Sequence, residues 1–292
     1  MTSQQQGFIT ILTGLYSFQD CVHFLASVRK FHEEPIVVLV DRVPWLLYPL
    51  LWAFSRVKIQ AAPSHPNPVL ASRQAKLALY QASPFEKTIY LDSDICLMAN
   101  INEVFDELDQ VDFLITEDVQ PSIANASNLI RNKQAILPTL QAAGLPLTET
   151  SVQYNGGFMA FKKTPPIEQL FNEFHQYFER IVEHQDSLRL RDQGALAAAI
   201  ASVKPHMKVL PPTYNFLTKW KNHYQLNSNE PIKVLHATYP YRPQYAKDVT
   251  RSIYTRFFDE VASLLLPNQV KNPWRSSKAA DVNTVAQSSL KH

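Results

Sequence analysis

The chain has 292 residues, 46% of them hydrophobic, and a formal net charge of +2. That length and apolar content suit one large α/β domain, or one domain with a smaller appendage, and so even a charge balance gives no reason to expect a nucleic-acid partner. Cys21 and Cys96 are its two cysteines, too few for a disulfide framework or a zinc spacing, and they suit a reducing compartment, so a cytoplasmic location is expected.

In chain order, the polar start from Met1 to Gly7 lacks a basic segment followed by an apolar core, so no signal peptide is expected. Phe8 to Leu12 reads as a strand, Tyr16 to Phe31 as a helix, and Ile36 to Val40 as a second strand ending at Asp41. Val43 to Ser55 reads as a helix that holds the greasy run Trp45 to Phe54, with Pro49 inside it. No run reaches the roughly 20 apolar residues of a membrane-spanning helix. The preferred reading of Trp45 to Phe54 is a core-packed helix, and the alternative is peripheral contact with a membrane face or an apolar acceptor. Val57 to Gln60 is a short strand, and Ser72 to Ala82 a helix with Leu77 and its alanines inward.

Thr88 to Leu91 is an apolar strand that runs into Asp92 and Asp94, with the small Ser93 between them. Side chains alternate along a strand, so residues two apart point the same way. Two carboxylates at a strand end form a hard, oxygen-rich site that suits a divalent cation with positions left for phosphate oxygens. A calcium loop of the helix-loop-helix type would need further ligands and a glycine soon after, which Ile95 to Met98 do not supply, and a haloacid-type phosphatase would want a residue such as Thr where Cys96 stands.

Phe113 to Thr116 reads as another strand. The polar segment 120–150 carries a helix around Ser127 to Ala143, and Gln153 to Phe161 is strand-like around a glycine pair. Ile167 to His184 is an aromatic-rich helix. Its Phe171, Phe174 and Phe178 recur at helical spacing and read with Tyr177 as core rather than as an acceptor lining. Gln193 to Ala201 is an Ala-rich helix, Lys233 to Leu235 a short strand ending in His236, and the chain after Trp274 is expected to be disordered. Alternating strands and helices in the first half imply a mostly parallel sheet with helices on both faces, whose ligands bind outside the carboxyl ends of the strands.

Several of these segments together make the chain resemble glycosyltransferase family 8, the glycogenin and lipopolysaccharide galactosyltransferase group. They are Ser72-Arg-Gln-Ala-Lys76 leading into Asp92-Ser93-Asp94, Tyr154-Asn-Gly-Gly-Phe-Met-Ala-Phe161, Arg191-Asp-Gln-Gly-Ala-Leu196, Leu210-Pro-Pro-Thr-Tyr-Asn215, and Val234-Leu-His236 with Arg242-Pro243. The resemblance, over Phe8 to Pro243, implies a GT-A, Rossmann-like α/β fold with a mostly parallel central sheet flanked by helices and a smaller acceptor-side region. It implies one domain over 1–275, with a nucleotide-binding half at 8–119, a sugar and acceptor half at 120–275, and a tail at 276–292.

The same resemblance implies Asp92, Asp94 and His236 as ligands of Mn²⁺ or Mg²⁺. It places Thr13, Tyr16, Arg73, Lys76, Asp92, Ser93 and Arg242 around a UDP-sugar, and Asn155, Asp192 and Gln193 at the reacting sugar. Bland readings stand beside these roles. Lys76 and Arg73 could be solvated helix-start cations, the glycine pair at Gly156 and Gly157 a plain β-bulge rather than room for ligand, Asp192 a helix N-cap, and Tyr16 a core aromatic rather than a stacking partner for uracil. Asn215 is read as scaffold with a supporting role. The chain departs from the family's pattern at Gly156, Ala197, Tyr239 and Gln244.

The expected activity is metal-dependent transfer of a sugar, with retention, to a saccharide, lipid-linked or protein hydroxyl. Rival readings are an inactive nucleotide-sugar binding module and a sugar-nucleotide pyrophosphorylase. The second would need a glycine-rich phosphate loop, and the chain has six glycines in all.

Overall fold

The structure is a computed structural model, and it describes residues 4–126, 135–184, 191–224 and 230–265. The first half alternates strand and helix: β1 (Gln4–Thr13), α1 (Phe18–Phe31), β2 (Ile36–Asp41), α2 (Tyr48–Trp52), β3 (Val57–Ala61), α3 (Pro68–Leu77), α4 (Leu79–Ala82) and β4 (Phe85–Leu91). There follow β5 (Ile95–Leu97), α5 (Asn102–Glu107), β6 (Phe113–Ser122), α6 (Leu137–Ala142), β7 (Val152–Lys162), α7 (Pro165–His184), α8 (Arg191–Val203) and β8 (Met207–Leu210). The chain then adds β9 (Phe216–Leu217), β10 (Val234–His236), α9 (Gln244–Val249) and α10 (Ile253–Leu265).

Seven strands form one sheet in the order β3-β2-β1-β4-β7-β6-β8. All pairings in it are parallel except those of β7, which runs against both β4 and β6. A second, small sheet of order β5-β10-β9 stands beside it. Alternation along the strands sends side chains to two cores. Ile9 and Ile11 of β1 face one way with Tyr90, Phe113, Met159 and Phe161, under α3, α7 and α8. Phe8 and Leu12 face the other way with Ile89, Leu91, Leu114 and Phe158, against α1 and α5. Phe171, Phe174, Tyr177 and Phe178 of α7 are buried in the first core, as their spacing predicts.

Local departures from the sequence reading have physical causes. The helix expected from Ser72 begins at Pro68 and is interrupted at Ala78, whose φ of −85° and ψ of 2° leave the α-helical region. The entry to α1 is a 3-10 turn over Leu15–Ser17. Trp45–Leu47 is likewise a 3-10 turn ahead of the five-residue α2.

That short connection bears out the core-packed reading of Trp45 to Phe54 only in part: Leu47, Tyr48, Leu50 and Phe54 pack against the core around Leu51, and the tryptophans do not. A helix of this length turns only one narrow face inward, and within it only Leu51 is buried, while Trp45 is 71%, Leu46 67% and Trp52 56% exposed. Of the helix expected around Ser127 to Ala143, the described part is α6. Residues 127–134 and the tail after Trp274 lie outside the described residues. Among the described residues no helix is long and apolar enough to cross a membrane, and both cysteines are buried and unpaired.

Candidate active site

The parallel strands β1 and β2 end together at Thr13 and Asp41, β4 ends short of them at Leu91, with Tyr90 level with Ile9, and the candidate site lies along this carboxyl edge. Strand β4 stops one residue before the aspartates, so they do not share a side by strand alternation. They lie in a tight turn instead. The Asp92 N–H donates to the Gly157 carbonyl at 2.9 Å, and the Ile95 N–H returns to the Asp92 carbonyl at 3.1 Å. The chain then enters β5, whose Ile95 is paired with His236 of β10, and the Ala237 N–H donates to the Asp94 carbonyl at 3.2 Å. The small sheet thereby delivers an imidazole from more than 140 residues downstream onto the aspartate turn.

One ligand atom from each of Asp92, Asp94 and His236 can be chosen so that all lie within 4.8 Å of one another. His236 Nε2 is 3.1 Å from Asp94 Oδ1 and 4.0 Å from Asp92 Oδ2. Two carboxylates and one imidazole suit an oxygen-preferring divalent cation of the Mn²⁺ or Mg²⁺ class, so the residues present fit a bound metal. Burial would lower the His236 pKa, yet the facing Asp94 and Asp92 raise it above the ordinary value. Burial would likewise raise Asp94, and His236, with Arg242 behind it, holds its carboxyl below the usual range.

His236 is oriented from behind. Its Nδ1 lies 2.8 Å from Asn215 Oδ1, and the Asn215 amide donates to Thr116 Oγ1 and to Asn155 Oδ1, each at 3.0 Å. With Nδ1 donating to Asn215, Nε2 is left to face the aspartates. Gly157 is required here: a Cβ on it would stand 2.6 Å from His236 Cε1 and 2.9 Å from Nδ1. Gly156 is less constrained, the nearest atom to its Cβ being Leu196 Cδ2 at 3.4 Å. Both glycines sit where β6 and β7 slip register, Ile115 pairing Met159 and Thr116 pairing Asn155, so the β-bulge is present. Gly157 makes room for a ligand-type side chain rather than for a substrate.

The cations are partnered rather than solvated. Lys76 lies in the last turn of α3, not at a helix start, and is 4% exposed. Its Nζ is 3.1 Å from Asp92 Oδ1 and 4.0 Å from Asp192 Oδ2, donates to the Gly156 carbonyl at 3.1 Å, and stands over the ring of Tyr90. The Tyr90 hydroxyl donates to the same Asp92 oxygen. Arg73 Nε is 3.1 Å from Asp192 Oδ2. Burial would raise the Asp192 carboxyl, but Arg73 and Lys76 hold it below its ordinary value. Asp192 is in the first turn of α8, which begins at Arg191, so it lies inside the helix rather than capping it.

Arg242 is buried. Its Nε donates to the Ala237 carbonyl at 2.8 Å and one terminal nitrogen to the Ile95 carbonyl at 3.0 Å, while the other, Nη1, has no hydrogen-bond partner. Thr13 Oγ1 is also buried without a partner, at the end of β1. Gly14 follows at a φ of +69°, with the Tyr16 ring against it, and Ser93 occupies the turn between the two aspartates.

Asp118 was not singled out in the sequence. On β6 it accepts from Gln193 Nε2 at 2.8 Å and Asn155 Nδ2 at 3.3 Å, both to Oδ2, and from the Gln120 N–H at 3.1 Å, to Oδ1. Burial raises its pKa in spite of these donors. The one sequence signal was an acidic pair, Glu117-Asp118, directly after an apolar strand. The result is a continuous chain of hydrogen bonds, His236 to Asn215 to Asn155 to Asp118 to Gln193, that joins the aspartate turn to the start of α8.

Residues 87–247 match the model of a family described as nucleotide-diphospho-sugar transferase, over half of the chain. No curated protein matches the sequence. Among solved structures, the galactosyltransferase LgtC in complex with donor and acceptor sugar analogs is similar with a TM-score of 0.59 at 14% identity, over 92% of this chain and 99% of that one. The bifunctional glycosyltransferase WbbM is similar with a TM-score of 0.60 at 15% identity, over 89% of this chain and 52% of that one. Mouse xyloside xylosyltransferase 1 is similar with a TM-score of 0.53 at 16% identity, over 82% of this chain and all of that one. At such identities the likeness establishes the fold, a mixed α/β glycosyltransferase architecture of the GT-A kind.

Proposed function

We propose, because this chain belongs to the nucleotide-diphospho-sugar transferase family, that it transfers a hexose from a UDP-sugar to an acceptor hydroxyl, with retention, using Mn²⁺ or Mg²⁺. The observation that carries the metal-dependent reading is the convergence of Asp92, Asp94 and His236 on one turn at the sheet's carboxyl edge, with the buried Lys76 beside it. A divalent cation bound there would supply Lewis-acid neutralisation of the diphosphate.

The side chains divide the rest of the work. Lys76 already holds a proton-rich nitrogen between Asp92 and Asp192, so an arriving phosphate oxygen meets a desolvated cation that needs little reorganisation. Arg242 offers its unpartnered Nη1 in the same way, while its two carbonyl bonds fix the guanidinium. Thr13 and Tyr16, at the end of β1, are assigned to the nucleoside.

Asp192, Gln193, Asn155 and Asp118 are assigned to the hydroxyls of the transferred sugar. Asp192 is held charged by two cations, which suits it to accept hydrogen bonds and to position rather than to attack. The C1–O bond to the diphosphate breaks, a bond to the acceptor oxygen forms, and the acceptor's proton passes to the leaving phosphate oxygen. The acceptor is a saccharide, free or carried on lipid or protein, and the two buried thiols fit a cytoplasmic setting.

Calorimetric titration of UDP with and without Mn²⁺, on the parent and on Asp94→Asn and Lys76→Met, tests the reading. Manganese-dependent binding that is lost in Asp94→Asn and weakened in Lys76→Met is expected. Absence of UDP binding under both conditions would overturn the UDP donor, and equal binding with and without the metal would overturn the metal assignment.

A further inference from the structure

The connection from β2 to β3 exposes apolar side chains that a folded monomer ordinarily covers. Trp45, Leu46 and Trp52 are 71%, 67% and 56% exposed, and Pro44, Pro49 and Ala53 between and beside them are exposed too. Helix α10 extends this surface. Tyr254 donates to the Leu50 carbonyl and meets the Phe54 ring edge-on at 5.4 Å, so α10 is docked on α2. Its Ile253 and Phe257, beside Tyr254 on the solvent side, are 80% and 61% exposed.

The charge pattern around these residues is one-sided. From Arg42 to Phe85 the sequence holds no acidic residue, and Arg42, Arg56 and Lys58 on the same connection and on β3 are exposed, Arg42 lying 3.8 Å from the buried Asp41 and donating to the His65 and Pro66 carbonyls. Arg251 and Arg256 are exposed on the α10 side, where Asp248 and Glu260 are the exposed acids. Glu33 and Glu34, the acids that act on Arg29, lie before β2 at the amino edge of the sheet, and Arg56 enters β3 at that same edge, its carbonyl accepting from the Ile36 N–H at 3.0 Å, whereas Arg42 leaves β2 at the carboxyl edge.

We infer that this face docks on an anionic lipid surface, with Trp45, Leu46 and Trp52 entering the headgroup boundary and Arg42, Arg56 and Lys58 meeting lipid phosphates. Tryptophan is favoured at such a boundary because its ring is apolar and its N–H remains wet, and cations add attraction to an anionic leaflet. A protein partner would more commonly meet a rim of mixed charge, and here the rim along α2 and β3 carries cations only. The placement is also directional. The patch leaves the carboxyl end of β2 and the aspartate turn leaves that of β4, two strand positions away in the order β2-β1-β4, on the same edge of the sheet. Docking therefore brings the mouth of the candidate site close to the lipid surface, which on the transferase reading would favour an acceptor carried on lipid.

Co-sedimentation of the full chain with vesicles of phosphatidylcholine alone, and of phosphatidylcholine with phosphatidylglycerol, tests the docking without reference to catalysis. Binding to the anionic vesicles that weakens as salt is raised is expected, with the Trp45→Ser/Trp52→Ser double variant bound about tenfold more weakly or less. Lys58→Glu should weaken binding to anionic vesicles while its circular-dichroism melt stays that of the parent. The inference is overturned by undiminished vesicle binding of the double variant, by equal binding to neutral and anionic vesicles, or by no vesicle binding at all. Dimerisation abolished in the double variant, without vesicle binding, would assign the face to a second protein chain instead. None of these outcomes depends on whether UDP binds.

Discussion

Gly157 and Asn215 carry more of the site than their chemistry suggests. The imidazole of His236 rests on the bare backbone of Gly157 and is hydrogen-bonded at Nδ1 by Asn215. Gly157→Ala should therefore displace His236 and abolish tight Mn²⁺ binding, while Gly156→Ala, whose Cβ meets nothing closer than 3.4 Å, should retain it. Calorimetric Mn²⁺ titration of both variants separates them, and equal loss in the two would contradict the packing argument. Asn215→Ala leaves Thr116, Asn155 and His236 short of a buried partner. It should cost about 1–3 kcal/mol in stability and roughly 10–100-fold in metal affinity. Metal titration beside a urea melt reads both effects. A loss of stability alone would reduce Asn215 to the scaffold role its motif suggested.

Helix α7 shows how periodicity and burial agree when a helix is long. Phe171, Phe174 and Phe178 lie on one face of its 20 residues and all are buried. Phe174→Ala should cost about 3–5 kcal/mol through lost burial and a residual cavity. Urea unfolding should then show a lower midpoint at an unchanged slope, with nucleotide binding preserved wherever the variant is folded. Loss of nucleotide binding in the folded variant would argue that α7 lines a ligand site. The connection at Trp45 to Phe54 is the opposite case. It is apolar all round where α7 alternates apolar and charged faces, and two short turns cannot bury a ring of apolar side chains, so the excess is left in solvent.

The C-terminal helices are fastened to the first half by a buried cluster centred on His23 of α1. Its Nδ1 is 2.9 Å from Thr250 Oγ1, its Nε2 3.0 Å from Asp259 Oδ1, and its ring stacks on Tyr239 at 3.4 Å. Burial holds the His23 pKa below its ordinary 6.5 against the pull of Asp259, and burial lowers His32 likewise. Both histidines are thus neutral in the fold where the unfolded chain would be protonated. The unfolded state binds more protons in that window, so stability rises with pH there and falls as pH drops below 6.5 towards the lowered folded values. Asp259 acts lower: its carboxyl is held below its ordinary value, and its contribution is lost as pH falls through that depressed pKa. Thermal melts from about pH 7.5 to about pH 5 should show a falling midpoint that is shallower in His23→Gln. An unchanged slope in that variant would exclude His23 as a source.

The order of strands and helices, the glycines of β7 and the separate motifs at Lys76, Asp92, Asn155, Asp192 and His236 could be read along the chain, because hydrophobic period and turn chemistry are local properties. The resemblance also grouped Asp92, Asp94 and His236, but the way the fold closes the site could not be read. Asp92 and Asp94 converge through a turn rather than along a strand, and His236 reaches them through a three-residue strand too short to leave a periodic signal. Asp118 drew no notice because an acid after a strand is ordinary until Asn155 and Gln193 are folded onto it. Short strands such as β5, β9 and β10 are stabilised by pairing with distant segments, and a cation such as Lys76 is solvated or buried according to what packs over it. Period and local propensity therefore set the elements, whereas long-range pairing and desolvation set which side chains meet and which of them remain charged.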